Sequence, residues 1–271
     1  MRLERTGMVS IDLTGKTALV TASSGGIGFA IALRLAEAGA EVIVNGRNEE
    51  SVERAVAEIN AQVEDAARGI VADAADEAGA ATLVAEAGRV DVLVNNLGIF
   101  EAAEALEIDD AAWRRFFETN VLSGVRLTRE MLPQMIQRGW GRVLNIASDS
   151  AVVIPAEMIH YGTSKTAVLG ASRGFAKAAA GTGVTVNAVI AGPTHTPGVE
   201  EFVAQVVGRG LPWDEAQREF MRTARPQSLL GRLIEPSEIA NMVVYLASPL
   251  ASATTGAAVR VDGGYVDSIV P

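Results

Sequence analysis

The chain contains no cysteine. That excludes disulfides, thiolate nucleophiles and cysteine-ligated zinc, and it fits a reducing compartment. Histidine occurs only at His160 and His195, too few for a histidine-rich metal site. Aromatic residues make up only 5%, a poor supply for an aromatic-rich β-sandwich. No apolar run approaches the ~18 residues a membrane helix needs. The stretch Met1–Lys16 is mixed polar and charged, without the apolar core of a signal peptide. Positive charge is also short: 23 Lys and Arg stand against 33 Asp and Glu, a net charge of −10. Nucleic acid and phosphate-rich membranes repel such a chain, so neither is an expected partner, and a cytoplasmic location is the default.

What is present is aliphatic. Hydrophobic residues reach 49% of 271, enough for one large α/β domain and short for two. Short β-branched runs, apolar on both faces, recur at Thr17–Thr21, Glu41–Asn45, Gly69–Ala72, Val90–Asn95, Arg142–Ala147, Val184–Ile190 and Ala258–Val261. Helical stretches lie between them, among them Ile27–Ala38, Glu50–Ala66, Ala111–Gln137 and Tyr161–Ala180. The alternation predicts an α/β fold: a doubly wound parallel sheet of about seven strands with right-handed crossovers. Residues 1–12 read as a flexible arm, with Met8 as an alternative start, and 13–271 as a single domain. The segment 193–236 replaces a simple crossover with a long, mostly helical excursion, the usual form of a substrate lid.

Strand one runs into Thr21-Ala22-Ser23-Ser24-Gly25-Gly26-Ile27-Gly28 and then a helix. This order of strand, tight glycine turn and helix N-terminus suits a dinucleotide pyrophosphate. Backbone N–H groups at Gly26 and Ile27 can approach the anion, and Ser23 and Ser24 add hydroxyls. After strand two the chain reads Asn45-Gly46-Arg47-Asn48, with no carboxylate for a ribose 2′-hydroxyl. Arg47 is the residue to receive a 2′-phosphate, which points to NADP(H); the alternative is a solvated loop cation. Asp73 follows strand three, either accepting from an adenine amino group or capping the next helix.

Tyr161 and Lys165 stand four residues apart in Tyr161-Gly162-Thr163-Ser164-Lys165, on one helix face. A free tyrosine titrates near ~10, and a neighbouring ammonium lowers that value. Ser148 falls just past a strand end, where ligands of open α/β sheets bind. Asn120 sits inside a predicted helix, a poor place for asparagine unless it holds a water or kinks the helix.

On these residues the chain resembles the short-chain dehydrogenase/reductases, from about Leu13 to Val266. The glycine turn resembles that family's Thr-Gly-x-x-x-Gly-x-Gly. Asn95-Asn96-Leu97-Gly98 resembles its Asn-Asn-Ala-Gly, and Asn120, Ser148, Tyr161 and Lys165 match its catalytic tetrad. Ala191-Gly192-Pro193-Thr194-His195-Thr196 resembles its nicotinamide-covering stretch, and Val261-Asp262-Gly263-Gly264 its C-terminal signature. The resemblance implies a Rossmann-type oxidoreductase. In it Tyr161 is the acid/base, Ser148 polarises the substrate oxygen, Lys165 binds the nicotinamide ribose and depresses the tyrosine's pKa, and Asn120 holds a relay water. Asn95 and Thr194 join the cofactor site, and Arg47 carries NADP preference. The chain departs from the pattern at Ala22, expected to be tolerable at negative φ, at Leu97, expected to add bulk near the cofactor, and at the inverted Gly192-Pro193.

The substrate expected is a small ketone or 3-oxoacyl-type carbonyl. The alternatives are an alcohol or sugar dehydrogenase working oxidatively and a non-catalytic NADP-binding regulator. Val152, Val153, Ile154, Met158 and Ile159 are expected to form an apolar substrate wall, closed over by Phe202, Trp213, Phe220 and Met221. His160 reads as a helix-start residue and His195 as an exposed loop histidine. Small residues along the Tyr161 helix, with the family resemblance, imply a homodimer or homotetramer.

Overall fold

In the computed structural model, described here for residues 9–269, seven short strands make one parallel sheet in the order β3-β2-β1-β4-β5-β6-β7. Residues 1–8 of the expected arm, and with them Met8, lie outside the described residues. The strands are β1 (Thr17–Val20), β2 (Glu41–Gly46), β3 (Ala67–Val71), β4 (Val92–Asn95), β5 (Gly141–Ser148), β6 (Val184–Ala191) and β7 (Ala258–Val261). The central strands are buried throughout because helices cover both faces. One apolar layer packs α1 (Gly26–Glu37), α2 (Glu49–Gln62) and α9 (Pro236–Ala247) on one side. The opposite layer packs α3 (Glu77–Ala87), α5 (Ser123–Arg138) and the far end of α6 (Ile159–Ala178).

The expected single helix Ala111–Gln137 is broken. It consists of α4 (Asp110–Phe117), a π-helical turn Glu118–Leu122 and α5. The helix expected over Glu50–Ala66 stops at Gln62, where Val63 turns to an extended conformation. Gly139, at φ +70°, ends α5 in the left-handed region as a C-cap glycine does.

Segment 193–236 leaves the sheet after β6 and carries α7 (Pro197–Val207) and α8 (Trp213–Ala224). Its two ends are tied by a parallel bridge at Thr194 and Ile234, with His195 N–H to Ile234 O and Ile234 N–H to Pro193 O both at 2.8 Å. The helices have a small core of their own around Val203, Phe220, Met221 and Leu233. Among the described residues no helix is long and apolar enough to cross a membrane.

Candidate active site

The strand order reverses direction at β1 and β4, and a cleft opens at their C-terminal ends. Its volume is about 410 Å³. The glycine turn forms one wall, Ser148, Tyr161 and Lys165 another, and the 191–199 stretch with Phe202, Phe220 and Arg225 the third.

The turn is built by backbone constraint. Gly28 must be glycine, since a Cβ there would stand 2.4 Å from the Ala22 carbonyl oxygen and 2.6 Å from Asn96 Nδ2. Gly25, by contrast, faces open space, so a bulky anion can approach the helix N-terminus there. Gly26 and Ile27 line the cleft as expected. Ala22 does not have negative φ; it sits at +51°. Its N–H meets Asn45 Oδ1 at 3.2 Å and its carbonyl accepts from Asn96 Nδ2 at 3.1 Å, which fixes the peptide in an orientation costing a non-glycine residue about 1 kcal/mol.

Two expected cofactor contacts face elsewhere. Ser23 is buried, donating to Val20 O at 2.7 Å and accepting from Asn45 N–H at 3.0 Å, so its hydroxyl braces β1 against β2. Asn95 points behind the sheet end, where its Nδ2 meets Thr128 Oγ1 at 3.0 Å and Asn145 Oδ1 at 2.9 Å. The neighbouring Asn96, one residue on and reversed by the pleat, lines the cleft instead. Leu97 likewise packs into the core behind the sheet rather than crowding the cleft. Ser24 lies beside Gly46, 3.0 Å from where a Cβ would stand.

Arg47 and Asp73 occupy the outer end of the cleft side of the sheet, at the ends of β2 and β3. Arg47 is 75% exposed, and its Nη1 lies 3.6 Å from Asp73 Oδ2. Asp73 does not cap α3; that role belongs to Asp76, whose Oδ1 accepts from Gly79 N–H at 2.7 Å. Thr194 is buried in the cleft wall with its hydroxyl given to Gly192 O at 2.8 Å. The inverted Gly192-Pro193 has a steric cause, because a Cβ on Gly192 would stand 2.7 Å from Asp262 Cα.

Of the four predicted catalytic residues, Ser148, Tyr161 and Lys165 line the cleft, and Asn120 stands behind them, bonded to Ile99 and Ser164. Ser148 ends β5, and Tyr161 and Lys165 line the same cleft from the first turns of α6. The Ser148 hydroxyl lies 2.9 Å from Asp149 Oδ1 and accepts from Ser150 N–H at 3.1 Å. Desolvation pushes the Tyr161 phenol up to about 12; the Ser148 hydrogen bond pulls down and the nearby Asp149 carboxylate pushes up. Desolvation lowers Lys165 to about 8, and its Nζ donates to Ile146 O at 2.9 Å. The expected depression of the tyrosine by the lysine does not appear, because burial dominates both groups. Asn120 lies in the π turn, which answers why an asparagine is there. Its Oδ1 accepts from Ile99 N–H at 2.8 Å, and its Nδ2 donates to Ile99 O at 3.0 Å and Ser164 Oγ at 2.9 Å. Gly98 closes the group, since a Cβ there would stand 3.0 Å from Lys165 Nζ.

Of the expected apolar wall only Met158 lines the cleft; Val152, Val153 and Ile154 are exposed. The wall is aromatic instead: Phe100 packs edge-on at 6.3 Å from Tyr161 and 6.2 Å from Phe202, which continues to Phe220 at 6.0 Å. Trp213 turns away and stacks on His195 at 4.9 Å, while His195 Nε2 meets Glu200 Oε1 at 2.7 Å. His160 is buried against Phe116 at 4.0 Å, and burial lowers its pKa. Sequence reasoning missed Phe100, Asp149 and Arg225, and it quoted Asn96 and Thr196 within motifs without giving either a contact. Asp149 adjoins a motif position; Arg225 carried no signal, because only folding brings the excursion to the cleft.

Such a site, a dinucleotide-type turn beside a buried serine, phenol and amine, defines a nicotinamide-dependent oxidoreductase of the Rossmann type. A family model described as Enoyl-(Acyl carrier protein) reductase matches residues 21–266. An oxidoreductase of Bacillus subtilis, YvaG, is 49% identical, with 96% of this chain and 100% of that protein covered. A D-beta-hydroxybutyrate dehydrogenase of Cupriavidus necator is 35% identical over 94% of this chain and 99% of its own length. The structure of an L-sorbose reductase from Gluconobacter frateurii, complexed with NADPH and L-sorbose, superposes with a TM-score of 0.90 at 27% identity, covering 96% of this chain and all of that one. The chain belongs to the short-chain dehydrogenase/reductase family.

Proposed function

We propose that the protein reduces a small ketone or 3-oxoacyl-type carbonyl to an alcohol with NADPH, Tyr161 serving as the proton donor. The observation that carries this reading is the meeting of Ser148, Tyr161 and Lys165 in one cleft with the glycine turn. When bound, the dinucleotide supplies the hydride. The protein's residues manage the charge left on oxygen. The Ser148 hydroxyl, given to Asp149 Oδ1 in the structure, turns to donate to the carbonyl oxygen, and the Tyr161 phenol, held protonated by desolvation, gives its proton to that same atom. The Lys165 ammonium faces the tyrosine ring, 5.9 Å from its centroid, and stabilises the phenolate that remains. Asn120 acts one step back, by clamping Ile99 and Ser164 so that α6 holds its angle to the cleft.

The turn at Gly25–Ile27 fits the pyrophosphate, with Ser24 and Asn96 at its edges. Arg47 receives the 2′-phosphate; its exposure leaves the guanidinium free to turn from Asp73. The solved NADPH complex of the sorbose reductase supports the same cofactor. The excursion 193–236 acts as the substrate lid, since Phe202 and Phe220 reach the cleft from it. The assembly that accompanies this reading is a homodimer or homotetramer docked through α6, where Gly170 and Gly174 are exposed and have no atom within 4 Å of a Cβ position.

Tyr161→Phe removes the proton donor without removing the pocket. Turnover of a ketone panel with NADPH should fall at least about a thousandfold, while NADPH still binds by fluorescence titration. A variant as active as wild type overturns the assignment. Arg47→Ala should shift the NADPH over NADH preference by about ten- to a hundredfold toward NADH; a wild type that favours NADH would sink the cofactor reading.

A further inference from the structure

Besides the Tyr161 phenol, the side chains lining the cleft among the described residues that can carry charge are Asp149, Lys165 and Arg225. Lys165 is enclosed and given to Ile146 O. Asp149 is buried, its Oδ1 held by Ser148 and its Oδ2 without a hydrogen-bond partner; burial raises its pKa, and the charge of Arg225 is among the influences that lower it. Arg225 is different. It stands at the C-terminal end of α8, where Nη1 donates one bond to Ala224 O at 2.7 Å. Its guanidinium lies over two buried rings, 5.3 Å from the centroid of Phe220 and 5.5 Å from that of Tyr265. Elsewhere on the excursion, Arg209, Arg222 and Arg232 each pair with a glutamate. Among the described residues no carboxylate lies within ion-pair distance of Arg225.

A guanidinium lying over two rings is restrained by them but keeps most of its five donors unused. It faces a half-enclosed cleft with Phe100, Phe202 and Phe220 in its wall, where a charge interacts more strongly than in bulk water. In a protein of net charge −10, this guanidinium has no ion-pair partner among the described residues, and the buried Asp149 feels its charge only from longer range.

We propose that Arg225 is the anion receptor of the substrate pocket, and that the substrate is a carbonyl compound bearing a carboxylate, an oxo acid reduced to the hydroxy acid. This rests on the reading of Ser148 and Tyr161 as the reducing site. One planar guanidinium matches one planar carboxylate in a two-bond fork; a phosphate dianion draws several converging donors, and among the described residues Arg225 is the one cation of the outer cleft without an ion-pair partner. The two rings it lies over restrain the fork, which reduces the entropy lost when the anion docks. The carboxylate end of the substrate then points to the excursion, and its carbonyl lies at Ser148 and Tyr161.

The test compares 3-oxobutanoate with its uncharged methyl ester, in wild type, Arg225→Gln and Arg225→Lys, with NADPH. Wild type should favour the acid by about ten- to a hundredfold in kcat/KM, carried mainly by KM. Arg225→Gln should erase the preference and Arg225→Lys restore part of it. A wild type indifferent to the charge, or a preference that survives Arg225→Gln, overturns the proposal. A second readout needs no turnover: butanoate should raise the melting temperature of the wild-type NADPH complex and not that of Arg225→Gln. If butanoate stabilises neither, the anion site is wrong. If it stabilises wild type alone while no ketone is reduced, the anion site stands and the reducing role of Tyr161 falls.

Discussion

Lys165 shows what a working site costs its scaffold. Its ammonium is buried, and desolvation takes its pKa from 10.5 to about 8. A lysine with a lowered folded-state value weighs on stability wherever both states are charged, below about pH 8, and the penalty fades as the pH rises toward 10.5. Lys165→Met should therefore stabilise the ligand-free protein at pH 7 by on the order of 1–2 kcal/mol, less the loss from freeing Ile146 O, while abolishing turnover. Thermal melts at pH 7 and 10 check this; a gain that grows with pH would contradict it. The residue pattern revealed this pair because four residues on a helix share a face. It did not reveal that Ser23 and Asn95 point inward, since a glycine turn and a strand end each change direction by half a pleat, and only the hydrogen-bonding partners decide which way.

The break between α4 and α5 was hidden because a single π turn leaves the chain helical on both sides, and a one-residue shift in pattern is too local to separate two helices. Asparagine at 120 was the sign of it. Its side chain makes three hydrogen bonds, two of them to the backbone of Ile99. Asn120→Ala leaves the Ile99 N–H and carbonyl without their partner, and should lower stability by about 2–4 kcal/mol in chemical denaturation. A loss below about 0.5 kcal/mol would mean that water replaces the amide.

For the whole molecule, the alternation of strand and helix carried the fold, because both-face burial leaves so distinctive a trace. The excursion 193–236 was recognisable as an interruption only. Which of its side chains reach the cleft depends on the bridge between Thr194 and Ile234, a contact between residues far apart in the chain. The proposed assembly is tested at this scale: Gly170→Arg places a charge on the open face of α6 with room for its Cβ, and should turn a dimer or tetramer into a monomer by light scattering without lowering the monomer's helicity. An unchanged mass excludes that face.

The sheet order has a kinetic consequence. β1 lies beside β4, and Ala18 pairs with Val92 only after β2, β3 and their helices have been traversed. Every neighbouring pair is parallel, so no hairpin can start the sheet cheaply, and the ordering entropy must be met before the long-range contacts form. The dinucleotide turn lies at that seam, so the binding site is complete only once this long-range pairing has formed.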